Sequence, residues 1–466
     1  MKPNILEFTG LSNKIIDQNL NMPEKKFLNK QEHAKHLEKY NIQPNRAMIT
    51  IILSILVDVF GYSMVLPLLP SIVKDFGASD FFVGILISSN AFTAMIFGPI
   101  WGKLSDKYGR KRILVISQAG TGLAFLILAT SNSVYIIMFS RILDGVFGGQ
   151  IPVIRAYISD ITTPKTRAEE MSKIMVGNVT GMILGPIIGG FLGDINWRYP
   201  AILSSFLSII AITLTLKVLI ESMPKDRIAD IKLRLTMNEN TPDNNRSIWN
   251  KEVNSRLVQV FLIFMITVMV NSSFPLFLDN RYGAGPSIIG SVMSVAGIVV
   301  MIYAGVLMKP MLRKFGEKRV LIFGFILLIV IFLFFPYLSE LWMVYVFVIP
   351  FAFCMSVIPP LIQSNLTKAI DSDKQGEASG WTTNFQSISQ IIAPLVSTGF
   401  LEIGGLVVFS TFFFNSYQLI GFTAVLLGIA LLIVGIIDLK SHPYLYAHDE
   451  PKNKEIVKDG PNKIPK

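Results

Sequence analysis

Apolar residues come along this chain in long blocks and not in alternation with polar ones. Twelve runs carry few or no charges: near 47–69, 82–101, 113–130, 133–155, 171–193, 200–220, 257–279, 287–308, 319–337, 341–363, 384–402 and 416–438. Each is long enough, as a helix, to cross about 30 Å of hydrocarbon. Lipid offers no partner to a backbone N–H or C=O, so such runs read as helices that satisfy their own. The one long polar interruption, 221–256, holds Pro224, Pro242 and an Asn/Asp run at 243–245, and reads as a linker between two six-helix sets. The pattern predicts an all-α polytopic membrane protein with 12 transmembrane helices in two halves. A tail spans 1–46, an N-terminal six-helix bundle 47–220, the linker 221–256, a C-terminal bundle 257–438 and a second tail 439–466.

Composition agrees with this class. Of 466 residues 51% are hydrophobic and only 16% charged, with a mean hydropathy of +0.52, outside the range of soluble domains. Basic residues then fix orientation, because Lys- and Arg-rich loops stay in the cytoplasm. Loop 102–112 carries Lys103, Lys107, Arg110, Lys111 and Arg112, and loop 309–319 carries Lys309, Arg313, Lys314, Lys318 and Arg319; the opposite side holds only Lys74, Arg198 and Arg281. Both termini and the linker are expected in the cytoplasm and the chain in the cell (plasma) membrane, as a monomer. The net charge of +10 is spread over loops and tails on one side, so no nucleic-acid partner is needed to account for it. Residues 1–46 lack the apolar core of a cleavable signal.

Cys354 is the only cysteine, and His33, His36, His442 and His448 all fall in the predicted tails. No disulfide within the chain, thiolate metal site, zinc-protease motif or histidine proton relay in the membrane is expected, and no cofactor.

The halves correspond internally. Gly109 and Gly316 are 207 apart, the same offset pairs Lys107 with Lys314, Lys111 with Lys318 and Arg112 with Arg319, and Pro186 and Pro394 are 208 apart, each in the fifth span of its half. Near-constant offsets point to a duplicated unit. The chemistry has diverged. Asp279 and Glu402 fall at outer helix ends, leaving the second-half interior without a carboxylate; it offers Asn271, Tyr303, Phe351, Trp381, Phe385, Gln386 and Gln390 as a broad ligand surface. Tyr62, Asn90, Gln150 and Asn178 are the matching cavity candidates in the first half.

Ionisable groups inside a span cost about 2.5–3.5 kcal/mol on insertion scales and so mark function. Asp58 lies roughly 16 Å deep in the first span, and Arg141 and Asp144 roughly 12 and 16 Å deep in the fourth, from the other face. Asp58 and Asp144 thus share the midplane, and Arg141 and Asp144 share a helical face. Either a structural ion pair or a proton site would account for them. Asp58 has the stronger claim to protons, because Arg141 has a nearer partner, and a carboxylate in apolar surroundings is able to bind and release a proton near neutral pH.

Two further motifs stand out. Gly102-Lys-Leu-Ser-Asp-Lys-Tyr-Gly-Arg-Lys-Arg112 joins the second and third spans, with Gly102 and Gly109 permitting a tight turn and Asp106 able to face the positive start of the third span. Gly181-Met-Ile-Leu-Gly-Pro-Ile-Ile-Gly-Gly190 lies in an uncharged run between Lys173 and Asp194. Gly181, Gly185 and Gly189 recur every four residues as a ridge of small residues. Simple packing or a seal laid flush against the other half would both use such a ridge.

The glycine-proline run, with Pro186, resembles the fifth-span signature of antiporters in the major facilitator superfamily, and the 102–112 loop resembles that family's hallmark. Asp58-Val-Phe-Gly-Tyr-Ser-Met-Val-Leu-Pro-Leu-Leu-Pro70 looks like the first-span motif of its twelve-span drug/proton antiporters, Arg141-Ile-Leu-Asp-Gly145 like their fourth-span motif, and Ala156 to Gly190 like tetracycline/proton antiporters. The likeness covers mainly 47–220. It implies a major facilitator fold, alternating access by rocking of the halves, exchange of protons for a small-molecule substrate at Asp58, and a cytoplasmic latch of Asp106 and Arg110 with Asp160 as partner. Position 144 departs from the motif, which more often has an uncharged residue such as Gln. Arg141 is therefore either free to influence the proton site or locked in a pair.

The resulting expectation is a proton-coupled exporter of drugs or other small amphipathic molecules. A symporter or uniporter for a sugar, organic anion or other metabolite is the alternative, against which the glycine-proline motif speaks. An intramembrane aspartyl protease would use two aspartates but lacks its Gly-x-Gly-Asp setting at Asp58 and Asp144.

Overall fold

The computed structural model describes residues 38–39, 42–223, 226, 251–370, 375–408 and 412–442. Most of the segments read as tails, and most of the linker, lie outside the described residues. Among the described residues eleven helices are long and apolar enough to cross a membrane: Pro44–Ile72, Asp80–Tyr108, Arg110–Ala129, Val134–Ile161, Val176–Ile195, Arg198–Val218, Glu252–Tyr282, Pro286–Phe315, Glu317–Tyr337, Leu341–Lys368 and Ser416–Ser441. The run near 384–402 forms part of the helix Gln375–Ile403, 29 residues long but less apolar, with Thr382, Thr383, Asn384, Gln386, Ser387, Ser389 and Gln390. Counted in chain order with that one, there are twelve. The chain is a polytopic, all-α membrane protein.

Prolines shape several of these helices by removing backbone donors. The first span changes from α to a 3-10 turn at Leu66–Leu68, where Pro67 sits. The fourth is two helices, Val134–Gly148 and Ile151–Ile161, parted at Gly149 and Gln150 just before Pro152. Gln150 caps the second piece and lines the cavity described below.

Loops with the basic clusters lie on one side of the bundle, called here the basic face; the other is the far face. The first six helices pack mainly on one another, as do the last six. The sets meet along two seams, the second span against the eleventh helix and the fifth span against the eighth.

The two seams repeat the same contacts. Phe81 N–H donates to Glu402 Oε2 at 3.4 Å, and Ser287 N–H to Asp194 Oδ1 at 3.1 Å. Ser88 Oγ donates to the Ile391 carbonyl at 2.7 Å, and Ser294 Oγ to the Ile183 carbonyl at 2.9 Å. A methyl group on Gly84 would strike Thr398 and the Pro394 carbonyl; one on Gly290 would strike the Pro186 carbonyl and Gly190. Members of the first set recur 206 positions later (81 to 287, 84 to 290, 88 to 294), and their partners 208 positions later (183 to 391, 186 to 394, 194 to 402). Each half thus lays the proline of its fifth helix on a glycine in the second helix of the other. Each also caps that helix's free N–H groups with its own carboxylate.

These contacts lie toward the far face, where Lys74 also pairs with Asp279 at 2.5 Å and Asn280 Nδ2 donates to Asp80 at 2.6 Å. The conformation is therefore closed at the far face. Beside it, between the eleventh and twelfth helices, β1 (Gly405–Val408) and β2 (Phe412–Asn415) pair antiparallel.

Of the two uses open to the small-residue ridge, the contacts show packing within its own half. Gly181, Gly185 and Gly189 face the first span of their own half, where added methyl groups would strike Phe60, Ser63 and Met64. Ser63 Oγ also donates to the Gly181 carbonyl at 2.9 Å. Of the motif's glycines it is Gly190, next to Pro286 and Ser287, that faces the other half, together with the Ile183 and Pro186 carbonyls. A four-residue period fixes which glycines share a face, but not what that face meets.

The basic-face end of the second half adds a buried ion pair that sequence reading did not single out. Asp438 is fully buried near the end of the helix Ser416–Ser441, 3.3 Å from the equally buried Arg256 of the seventh span. His442, read as part of a tail, packs 3.1 Å from Asp438 and 3.6 Å from Glu252. This helix runs past the expected boundary at 438 because the ion pair and His442 fasten its last turn.

Candidate functional site

Five helices of the first half line a cavity of about 240 Å³ at mid-depth. The first span contributes Asp58 and Tyr62, the second Asn90, the third Thr121 and Phe125, the fourth Asp144 and Gln150, and the fifth Asn178. Sequence reasoning had singled out six of these eight. It missed Thr121 and Phe125 because neither is charged or set in a motif, although Thr121 is polar within an apolar run.

The two midplane aspartates differ in their partners. Asp144 Oδ2 lies 3.3 Å from Arg141 Nη1 and accepts from Asn90 Nδ2 at 3.0 Å. The Arg141 guanidinium also lies over the Phe125 ring, 5.3 Å from its centroid. Arg141 is thus held in a pair with Asp144 in this conformation. Asp58 stands apart: its Oδ1 is buried and has no hydrogen-bond partner. Thr121 Oγ1 and Gln150 Oε1, on the same cavity, are likewise buried and unpartnered. An orphaned buried polar atom is costly, so several around one cavity mark a place where water or a ligand is to be received.

The second-half candidates do not join this cavity. Asn271 is exposed midway along a largely buried span, Gln386 is half-buried, and Phe385 packs edge-on against Phe261 at 6.2 Å. Phe351 must be corrected: it is 8% exposed and stacked on Phe347 at 5.8 Å, a member of the aromatic core and not a ligand surface.

On the basic face the 102–112 segment is tighter than expected. The second span continues to Tyr108, Gly109 alone turns the chain at φ 100°, and the third span begins at Arg110. Gly102 is helical and lies against Pro152 of the fourth span, so its role is close packing and not a turn. Arg110 is buried and gathers three partners: Asp106 Oδ1 at 2.6 Å, Asp160 Oδ2 at 3.2 Å and Ser105 Oγ at 2.5 Å.

Asp106 meets the start of the third span through the Arg110 side chain and not through its free N–H groups. Glu221 takes those, accepting from Arg110 N–H at 2.7 Å and Lys111 N–H at 3.1 Å, while Ser222 donates to Asp160 at 3.0 Å. A side chain at Gly109 would strike the Glu221 carboxylate. Sequence reading had put Glu221 in the linker; the signal it offered was a lone acid directly after the sixth span.

A dozen membrane helices in two similar sets, rocked shut at one face around a polar cavity, define a membrane transporter for small molecules. The profile of the Major Facilitator Superfamily matches residues 51–394 and 256–457, and the chain belongs to that family. It is a transport protein and not an enzyme. It is similar to the tetracycline resistance protein, class H, of Pasteurella multocida, at 27% identity over 76% of this chain and 88% of that one. It is also similar to multidrug resistance protein 2 of Bacillus subtilis (strain 168), at 28% identity over 76% of this chain and 89% of that one. Among solved structures, a bacterial homolog of the human lysosomal transporter Spinster, inward-facing and occupied, aligns with a TM-score of 0.68 at 13% identity, over 86% of this chain and 98% of that one.

Proposed function

We propose that this transporter is a proton-coupled antiporter that exports drugs or other small amphipathic molecules by alternating access. The carrying observation is Asp58, a buried carboxylate with an unpartnered oxygen on a mid-membrane cavity, beside an Arg141–Asp144 pair that is already closed on itself. A carboxylate without a counter-charge is the group able to exchange a proton for a ligand, since one or the other must offset its charge at mid-membrane depth. Tyr62 and Phe125 give the cavity apolar surface, and Asn90, Gln150, Asn178 and Thr121 give it hydrogen-bonding groups. That mixture suits amphipathic ligands.

The cycle has the halves rocking about the two glycine-proline seams, with Asp58 protonated in one orientation and deprotonated in the other. The Arg110 cluster serves as the latch on the basic face, which the positive-inside rule makes cytoplasmic, with both termini on that side of the plasma membrane and the monomer as the working unit. Relatives named for tetracycline and multidrug resistance support export as the direction. Expression in an efflux-deficient host tests this reading: resistance should rise to some members of a broad drug panel and be lost in Asp58→Asn. Unchanged susceptibility across the panel, with the protein present in the membrane, would contradict it.

A further inference from the structure

A second cavity, of about 260 Å³, lies at the basic face between the first and sixth spans, against the end of the fourth. Its walls include Gln43, Arg46, Tyr157, Lys217 and Ile220, and no carboxylate. The acceptors nearby are consumed: Lys111 Nζ donates to the Leu216 carbonyl at 2.7 Å and Tyr157 Oη to the Ile220 carbonyl at 2.7 Å. Arg46 and Lys217 have no ion-pair partner among the described residues. The first span also begins here, at Pro44, without a side-chain cap on its free N–H groups, which leaves the positive end of its dipole facing the same space.

Apolar side chains lead away from each cation into the membrane. Ile49 and Leu53 are exposed three and seven residues beyond Arg46, and Ile210 is exposed seven residues before Lys217, each on the helical face of its cation. Cations at the headgroup level with apolar stripes below them match one class of ligand, a phosphate carrying acyl chains.

We propose that this pocket binds the phosphodiester headgroup of an anionic lipid from the leaflet at the basic face. Arg46 and Lys217 hold the phosphate, and the acyl chains lie along Ile49, Leu53 and Ile210. The Val218–Ile220 wall leads directly into Glu221 and Ser222, which fasten the third span and Asp160. A lipid seated here therefore braces the Arg110 cluster from outside. This assignment does not depend on the substrate or on proton coupling.

The test uses the full-length chain in detergent, native mass spectrometry, and three probes: phosphatidylglycerol, phosphatidylcholine with the same acyl chains, and inorganic phosphate. Phosphatidylglycerol should be retained in preference to phosphatidylcholine by about 30-fold, the product of two interfacial cations. The preference should collapse in Arg46→Gln/Lys217→Gln and survive both in Arg46→Lys and in Lys309→Gln/Lys314→Gln, which removes two cations elsewhere on the same face. Raising salt on the unmodified chain should erase the preference while leaving phosphatidylcholine retention unchanged, a reading that does not need any variant to fold. Equal retention of the two lipids, or a preference untouched by the double substitution, overturns the site. Retention of inorganic phosphate as strong as that of phosphatidylglycerol overturns the lipid as its source.

Discussion

Gly290 gives the sharpest handle on the rocking seams. A methyl group at this position would meet the Pro186 carbonyl carbon at 3.0 Å and Gly190 Cα at 3.2 Å, and would press still closer on the carbonyl oxygen. These atoms belong to backbone, which cannot swing aside as a flexible side chain would. Overpacking a tight contact costs about 1–3 kcal/mol. Because Pro186 and Gly190 sit in the opposite half, that cost falls on the far-closed state alone. Gly290→Ala should then shift the equilibrium toward far-face opening by about 5- to 150-fold. The internal repeat makes a second claim: Gly84→Ala, against Pro394 and Thr398, should act in the same direction. Gly305, in the same helix as Gly290 but with open space around it, supplies the control. Spin labels at Asn132→Cys and Ser339→Cys, exposed in loops of opposite halves on the far face, in a Cys354→Ala background, would report the distance distribution. A long-distance population that grows in Gly290→Ala and Gly84→Ala but not in Gly305→Ala is expected. Identical distributions in all of them would refute the seam as the closing contact.

Other outcomes follow from the same contacts. Glu221→Gln should lower thermal stability by the value of a helix-end charge, about 0.3–2 kcal/mol, and more than Asp106→Asn does, because Arg110 keeps Asp160 and Ser105 when Asp106 is lost; equal melting temperatures for the two would contradict this ranking. Arg256→Met should cost about 3–5 kcal/mol by stranding buried Asp438, whereas Arg256→Met/Asp438→Leu should recover most of it; a double variant as unstable as the single one would count against the pair acting as a unit. Gly185→Leu, facing Ser63 and Phe60 of its own half, should reduce membrane accumulation in proportion to export activity; full accumulation with export abolished would restore the ridge as a seal between the halves.

Hydropathy alone made the number and rough extent of the helices legible, because lipid demands about 20 apolar residues from each. The eleventh helix shows the limit. It packs on the second and seventh spans and so tolerates Gln and Ser that a lipid-facing helix would not. Offsets of 207 and 208 residues revealed the duplication, and the paired seams at Gly84–Pro394 and Gly290–Pro186 are its physical expression. The aspartates of the cavity could be found because charge inside a span is rare. Neutral Thr121 and Phe125 could not. The roles of Glu221 and Asp438 were missed for a different reason: Glu221 caps the third span and Asp438 pairs with Arg256, partners brought near only by folding.

Proton flux tests the central claim most directly. The protein is reconstituted in vesicles with an acidic interior and a pH-sensitive dye, and a drug from the susceptibility panel is added outside. The account predicts that the drug dissipates the gradient through the unmodified chain and leaves it intact through Asp58→Asn, while the variant still binds the drug. Dissipation at the same rate through Asp58→Asn would contradict it.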